Sequence, residues 1–129
     1  MLPCPQYALT LGLTALTIGA QAADLRAYSQ QEFDRLAQAG LSVVVDVSAP
    51  WCPTCKAQKP VIDKLAANPA YRDVTILAVD FDHDKDVLKL HKVHMQSTLI
   101  AFRGGKEVAR SVGETRPDAL ESIFSRAVH

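Results

Sequence analysis

The chain has 129 residues, and its 14 Lys and Arg are matched by 14 Asp and Glu, so the formal charge is zero. That length buries one core and leaves no room for a second ordinary domain. With no excess of positive charge the electrostatic footprint of a nucleic-acid binder is missing, and small or protein substrates are expected instead.

The charges are unevenly placed. Residues Met1 to Ala23 carry none, and the first are Asp24 and Arg26. The apolar run "YALTLGLTALTIGA", Tyr7 to Ala20, leads into "AQA", Ala20 to Ala22, which puts small residues where a signal peptidase cuts. A signal peptide over residues 1–22 and one domain over 23–129 are therefore expected, with a periplasmic or secreted product. The alternatives are a buried segment or an uncleaved anchor, and the run falls short of the ~20 residues that span a bilayer. Cys4 precedes the apolar run, which argues against a lipoprotein. Cleavage also removes Cys4, so the mature chain keeps only Cys52 and Cys55.

"SQQE", Ser29 to Glu32, has the spacing of a capping box, in which Ser29 accepts an amide of the first turn and Glu32 reaches back to the cap. A helix follows, with Phe33, Leu36 and Ala37 on its apolar stripe and Gly40 ending it. "LSVVVDV", Leu41 to Val47, is apolar and β-branched almost throughout, which predicts a central strand covered on both faces. Asp46 in such a strand is expected to be partly buried, its neutral form favoured by desolvation. The alternative is a solvated carboxylate at the sheet's edge.

Then comes "APWCPTCK", Ala49 to Lys56, and from Cys55 a helical pattern with Val61, Ile62, Leu65 and Ala66 on one face. Pro60 removes one backbone donor inside this helix and predicts a kink, and Asn68-Pro69 closes it. A second buried strand is expected over Val74 to Phe81. The next helix carries Val87, Leu88 and His91, with Asp82 or Asp84 as its cap. Strands at Thr98 to Phe102 and Lys106 to Val112 flank Gly104-Gly105 as a hairpin. A closing helix from Pro117 to about Ala127 turns Leu120, Ile123 and Phe124 inward, with Asp118 and Glu121 near its positive end.

Helix, strand, helix, strand, helix, hairpin, helix predicts an α/β fold with a mixed sheet. Its first two strands are parallel through a helical crossover and its last two antiparallel.

C-x-x-C by itself fits a metal clamp, a structural staple or a redox couple. A disulfide across two intervening residues closes a very small loop and stabilises weakly, which disfavours the staple. Cys52 stands between a strand and a helix, so its sulfur falls at the helix N-terminus, where free amides and the positive dipole end favour a thiolate. Cys55, one turn further in, is expected to be the less exposed of the two and able to attack a mixed disulfide formed at Cys52.

Strand, Asp46, Trp51, Cys52, Cys55, Lys56 and a helix bearing Pro60 together resemble the active-site region of the thioredoxin family, and the likeness extends over nearly all of the mature chain. The hairpin "TLIAFRGGKEVARSVG" is similar to that family's last two strands, and Gly113 falls where the family has a glycine facing the disulfide. The resemblance implies a thioredoxin-like three-layer sandwich of four to five strands flanked by helices. It implies an exported thiol-disulfide oxidoreductase acting on protein disulfides, leaning to reductase, with no cofactor, a possible membrane-bound electron donor and a monomeric state. Cys52 would attack, Cys55 resolve and Asp46 help move the proton of Cys55. Trp51 would be a packing lid, and Pro53, Thr54, Gln96, Ser97 and Gly113 would meet the substrate.

Two departures from the family stand out. The lysine that usually pairs with the buried aspartate would fall at Ala78, and the family's cis-proline is replaced within Gln96, Ser97 and Thr98. A cis bond costs about 2.5–4 kcal/mol before a non-proline residue and under about 1 kcal/mol before proline. A trans bond before Ser97 is therefore expected, and with it a displaced loop opposite the cysteines. His94 and Met95 on that loop raise an alternative function, a soft-metal site or copper chaperone formed with Cys52 and Cys55.

Overall fold

The computed structural model describes residues 2–4, 12, 15 and 22–129. The expected signal segment therefore lies almost wholly outside the described residues.

The elements run β1 (Asp24–Ala27), α1 (Gln30–Gln38), β2 (Ser42–Ser48), α2 (Pro53–Ala67), β3 (Val74–Asp80), α3 (Lys85–Leu90), β4 (Thr98–Arg103), β5 (Lys106–Val112) and α4 (Pro117–Val128). A short 3-10 turn, Pro69–Tyr71, follows α2. The sheet has five strands in the order β1-β3-β2-β4-β5. β2 and β3 are parallel, as the helical crossover requires, while β4 is antiparallel to both β2 and β5.

Strand alternation divides the core into two layers. Val43, Val45 and Val47 of β2 face one side with Leu77, Val79, Ile100 and Phe102, covered by Phe33 and Leu36 of α1 and Leu88 of α3. Val44, Ile76, Leu99 and Ala101 face the other side, covered by Ile62 and Leu65 of α2 and by Leu120, Ile123, Phe124 and Ala127 of α4. Phe124 is fully buried and contributes about 3 kcal/mol by leaving water. Asp46 shares its face of β2 with Val44, so it lies under α2 and not at an edge.

Three local expectations change. Ser29 Oγ accepts the N–H of Glu32 at 3.1 Å, but Glu32 does not complete the box. Its carboxylate is taken instead by Arg26 and Arg35, a gain of charge pairing over an exposed amide. Asp84 stands at the N-cap of α3 without a side-chain cap bond, because its carboxylate accepts the N–H of Asp80 at 2.8 Å and tightens the preceding turn. β1 was not predicted: "DLRA" is exposed throughout and pairs along one side only, with β3. An edge strand of four residues shows little hydrophobic alternation to read.

The hairpin forms at Gly104 and Gly105, with φ +56° and +79°. Such a turn needs positive φ at both central residues, and a Cβ on Gly105 would fall 2.9 Å from that of Ala37.

Candidate active site

β2 ends at Ser48, and α2 begins at Pro53, whose fixed φ and missing N–H suit the first helical position. Cys52 is the N-cap of that helix, and its Sγ accepts the N–H of Cys55 at 3.1 Å. A sulfur so placed receives an amide that the helix leaves free and sits at the positive dipole end. Cys52 and Cys55 are joined as a disulfide, with Cα atoms 5.3 Å apart. Two sulfurs at the mouth of a helix, one receiving an amide of the first turn, can exchange one disulfide for another.

The expected order of exposure is reversed. Cys52 is 0% exposed and Cys55 9%. Ser97, on the loop between α3 and β4, contributes to the cover, and Ala49 and Phe81 pack with the sulfur pair. Ser97, itself buried, places its Oγ 3.9 Å from Cys52 Sγ. The bond before Ser97 is trans, since no cis peptide occurs among the described residues, and Ser97 turns the chain with φ +57°. The loop is not displaced away from the cysteines; it lies upon them.

That loop is pinned at both ends. Arg110 donates to the carbonyls of His91 and Lys92 at 2.7 and 3.1 Å. At the other end the carbonyl of Ser97 accepts Gln58 Nε2 at 3.2 Å and the N–H of Gly113 at 3.0 Å. Thr98 Oγ1 donates to the carbonyl of Met95 at 2.7 Å, closing the turn between them. Gly113 thus meets the loop through its backbone, with φ +69°.

Gln58 was absent from the sequence-based candidates and is 1% exposed. Besides Ser97 it donates to the carbonyl of Glu114 at 2.7 Å, tying α2 to both loops beside the disulfide. The positions 55, 58, 62 and 65 form the buried stripe of α2, so helical spacing alone marks Gln58 as a polar residue on an apolar face.

Trp51 is 54% exposed. Its indole N–H donates to the Asp82 carboxylate at 3.0 Å, and its ring meets Phe81 edge-on. Pro53 is exposed and Thr54 and Gln96 are half-buried. His94 and Met95 are both exposed. Among the described residues no three His, Cys, Asp or Glu side chains converge as a metal site, and His94 is not brought into a cluster with the cysteines. The exposed loop that carries His94 and Met95 turns them towards solvent, so the soft-metal reading finds no support.

Asp46 is partly buried, and burial pushes its carboxyl up to about 6, with Lys59 pulling it down and Asp63 pushing it further up. Asp46 pairs in register with Ala78 of β3, which is too short to bring a charge to it. Asp46 and Cys55 line the same pocket.

The sequence profile of the thioredoxin family, described as "Thioredoxin", matches residues 24–126. Thioredoxin of Chlamydia trachomatis is 41% identical over 98 residues, spanning 76% of this chain and 93% of that protein. Thioredoxin-2 of Saccharomyces cerevisiae is 39% identical over 101 residues, 78% of this chain and 94% of the yeast protein. The crystal structure of Trxlp from Edwardsiella tarda superposes with a TM-score of 0.76 at 44% identity, covering 78% of this chain and 98% of that one.

Proposed function

The chain belongs to the thioredoxin family and is a thiol-disulfide oxidoreductase, and we propose that it reduces protein disulfides through attack by Cys52 and resolution by Cys55. The observation that carries this assignment is the N–H of Cys55 donated to Cys52 Sγ at the opening of α2. It favours the anionic sulfur at Cys52 as nucleophile and as leaving group.

In the reduced protein the Cys52 thiolate attacks one sulfur of the substrate disulfide. A Cys52–substrate disulfide forms and one substrate thiolate leaves. Cys55 then loses its proton and attacks Cys52 Sγ, so that the Cys52–Cys55 disulfide forms and the second substrate thiolate departs. Two electrons pass to the substrate. Asp46, mostly ionised at neutral pH and lining the same pocket as Cys55, takes the proton of Cys55. The cover over Cys52 adds a condition: the loop bearing Ser97 opens before a substrate sulfur reaches it.

Trp51, Met95 and Pro53 are exposed apolar groups around the sulfur pair and supply a surface for an extended polypeptide. Gln96, Ser97 and Gly113 stand on the loops beside the pair, and Thr54 stands between the cysteines in the chain. The protein acts after export to the periplasm or outside the cell, once residues 1–22 are removed, as a monomer fed by a membrane-bound donor. The uncharged apolar run ending in Ala20 to Ala22 supports export. An intact mass beginning at Ala23 for protein recovered from the periplasm tests it, and an unprocessed mass refutes it.

Cysteine replacement tests the roles. Cys52→Ser abolishes turnover, whereas Cys55→Ser accumulates a mixed disulfide with substrate. Failure to trap that species removes the assignment of attacker and resolver. Equilibration with glutathione tests direction: a reductase lies near or below about −200 mV, and a value near about −120 mV overturns it.

A further inference from the structure

The pocket behind the disulfide holds about 550 Å³ and opens to solvent. It lies between α2 and the β1–β3–β2 side of the sheet, where Ala27, Ala78 and Ala66 are too small to fill the space under the helix. α4 packs chiefly against β4 and β5, reaches β2 and β3 less, and contributes no residue to the pocket's lining. Its wall is mostly apolar, with Ile62, Ile76 and Cys55 of the disulfide on it.

One feature is unsuited to an apolar occupant. Asp46 lines the pocket, and no hydrogen bond or ion pair holds its carboxylate among the described residues. Neither lysine of the lining pairs with it among the described residues: Lys56 makes no ion pair with Asp46, and Lys59 is held elsewhere. Lys59 of α2 is bound to Asp63 at 2.8 Å, and Asp80, the last residue of β3, is bound to His83 at 2.8 Å. Counting Asp46, Asp63, Asp80 and Asp84 against Lys56 and Lys59, the lining carries two more negative than positive groups. A partly buried carboxylate without a partner is destabilising, and a cation brought by a ligand relieves that cost.

We propose that this pocket is a binding site for a small amphiphilic cation, a primary ammonium on a short aliphatic chain, whose ammonium pairs with Asp46 and whose chain lies against Ile62 and Ile76. Ala78, directly opposite Asp46 in the sheet register, leaves the space for the ammonium. The site lies behind the disulfide and shares Asp46 and Cys55 with the redox chemistry, but binding to the oxidised protein does not depend on which cysteine attacks.

The test is titration of the oxidised full-length protein with hexylammonium, read by amide chemical shifts, at about pH 8, where Asp46 is ionised. Saturable shifts at Leu25, Asp46 and Ala78 are expected with a dissociation constant near about 1 mM, the range open to so small a ligand. Hexanol and hexanoate should bind at least tenfold more weakly. Asp46→Asn, nearly the same shape, should weaken hexylammonium at least tenfold, and Ala27→Leu, which fills the pocket while keeping Asp46, should weaken it as well. Equal binding of hexanol, unchanged binding to Asp46→Asn, or no saturable shift overturns the proposal. Melting curves of both variants show that each is folded.

Discussion

The Oγ of Ser97 lies 3.9 Å from the Sγ of Cys52, and the chain reaches that position through a left-handed backbone at Ser97 with φ +57°. A non-glycine residue in that region costs about 1 kcal/mol. The covering of Cys52 therefore rests on a conformation that serine tolerates poorly. Ser97→Gly relieves it and deletes the hydroxyl. Its expected stability is equal to or up to about 1 kcal/mol above that of the parent protein by denaturant unfolding. Alkylation of Cys52 in the reduced protein should rise several-fold, and an unchanged rate would show that the loop is not the cover.

Gln58 holds the same loop from below. Gln58→Leu removes the donors to the carbonyls of Ser97 and Glu114, though it also removes a buried Oε1 that has no partner. The two effects oppose each other, and a net loss of about 1–2 kcal/mol is expected. Cys52 should become more reactive here too. Combined with Ser97→Gly, the gain in reactivity should fall short of additive, because both changes free one loop.

Asp46 makes stability depend on pH. Its folded value of about 6 lies above the ordinary carboxylate value, so between about pH 4 and 6 the folded state binds more protons than the unfolded state. Stability therefore falls as pH rises through that window and stays lowered above it. Asp46→Asn removes the slope and should be about 2 kcal/mol more stable than the parent at neutral pH, a figure reduced for the side chain's partial exposure. Denaturant midpoints across the window measure this. The same variant should slow turnover roughly tenfold to a hundredfold, since Cys55 loses its proton acceptor. Parallel pH profiles for the two proteins would refute the assignment of the shift to Asp46.

The aromatic seal of the α4 layer offers a control away from the site. Phe124 is fully buried and meets Tyr71 at 5.6 Å between ring centres. Phe124→Ala should cost about 3–5 kcal/mol in unfolding free energy while leaving the pH slope from Asp46 in place.

Much of this was legible in the sequence because burial writes itself as periodicity. β2 and β3 read as apolar runs because both of their faces are covered, and α4 read as a stripe through Leu120, Ile123 and Phe124. β1 did not, since an exposed edge strand held by one neighbour needs no such pattern. The C-x-x-C spacing and the helix after it located Cys52 at an N-cap. They could not show what lies over it. Burial of Cys52 draws on Ser97, 45 residues away along the chain, and the bond before Ser97 gives its isomer but not its placement. Gln58 carried a signal in its helical spacing, one that reads as importance only once the carbonyls of Ser97 and Glu114 are seen to converge on it.

Attack by Cys52 requires that the amide of Cys55 stabilise negative charge there more than the covering loop penalises it. Ultraviolet titration of the thiolate in reduced Cys55→Ser protein, which keeps that N–H, measures the balance directly. A midpoint below about 7.5 is the expected result. A midpoint at or above about 8.5, the value of a free cysteine, would mean that burial wins and that Cys52 is not the attacking sulfur.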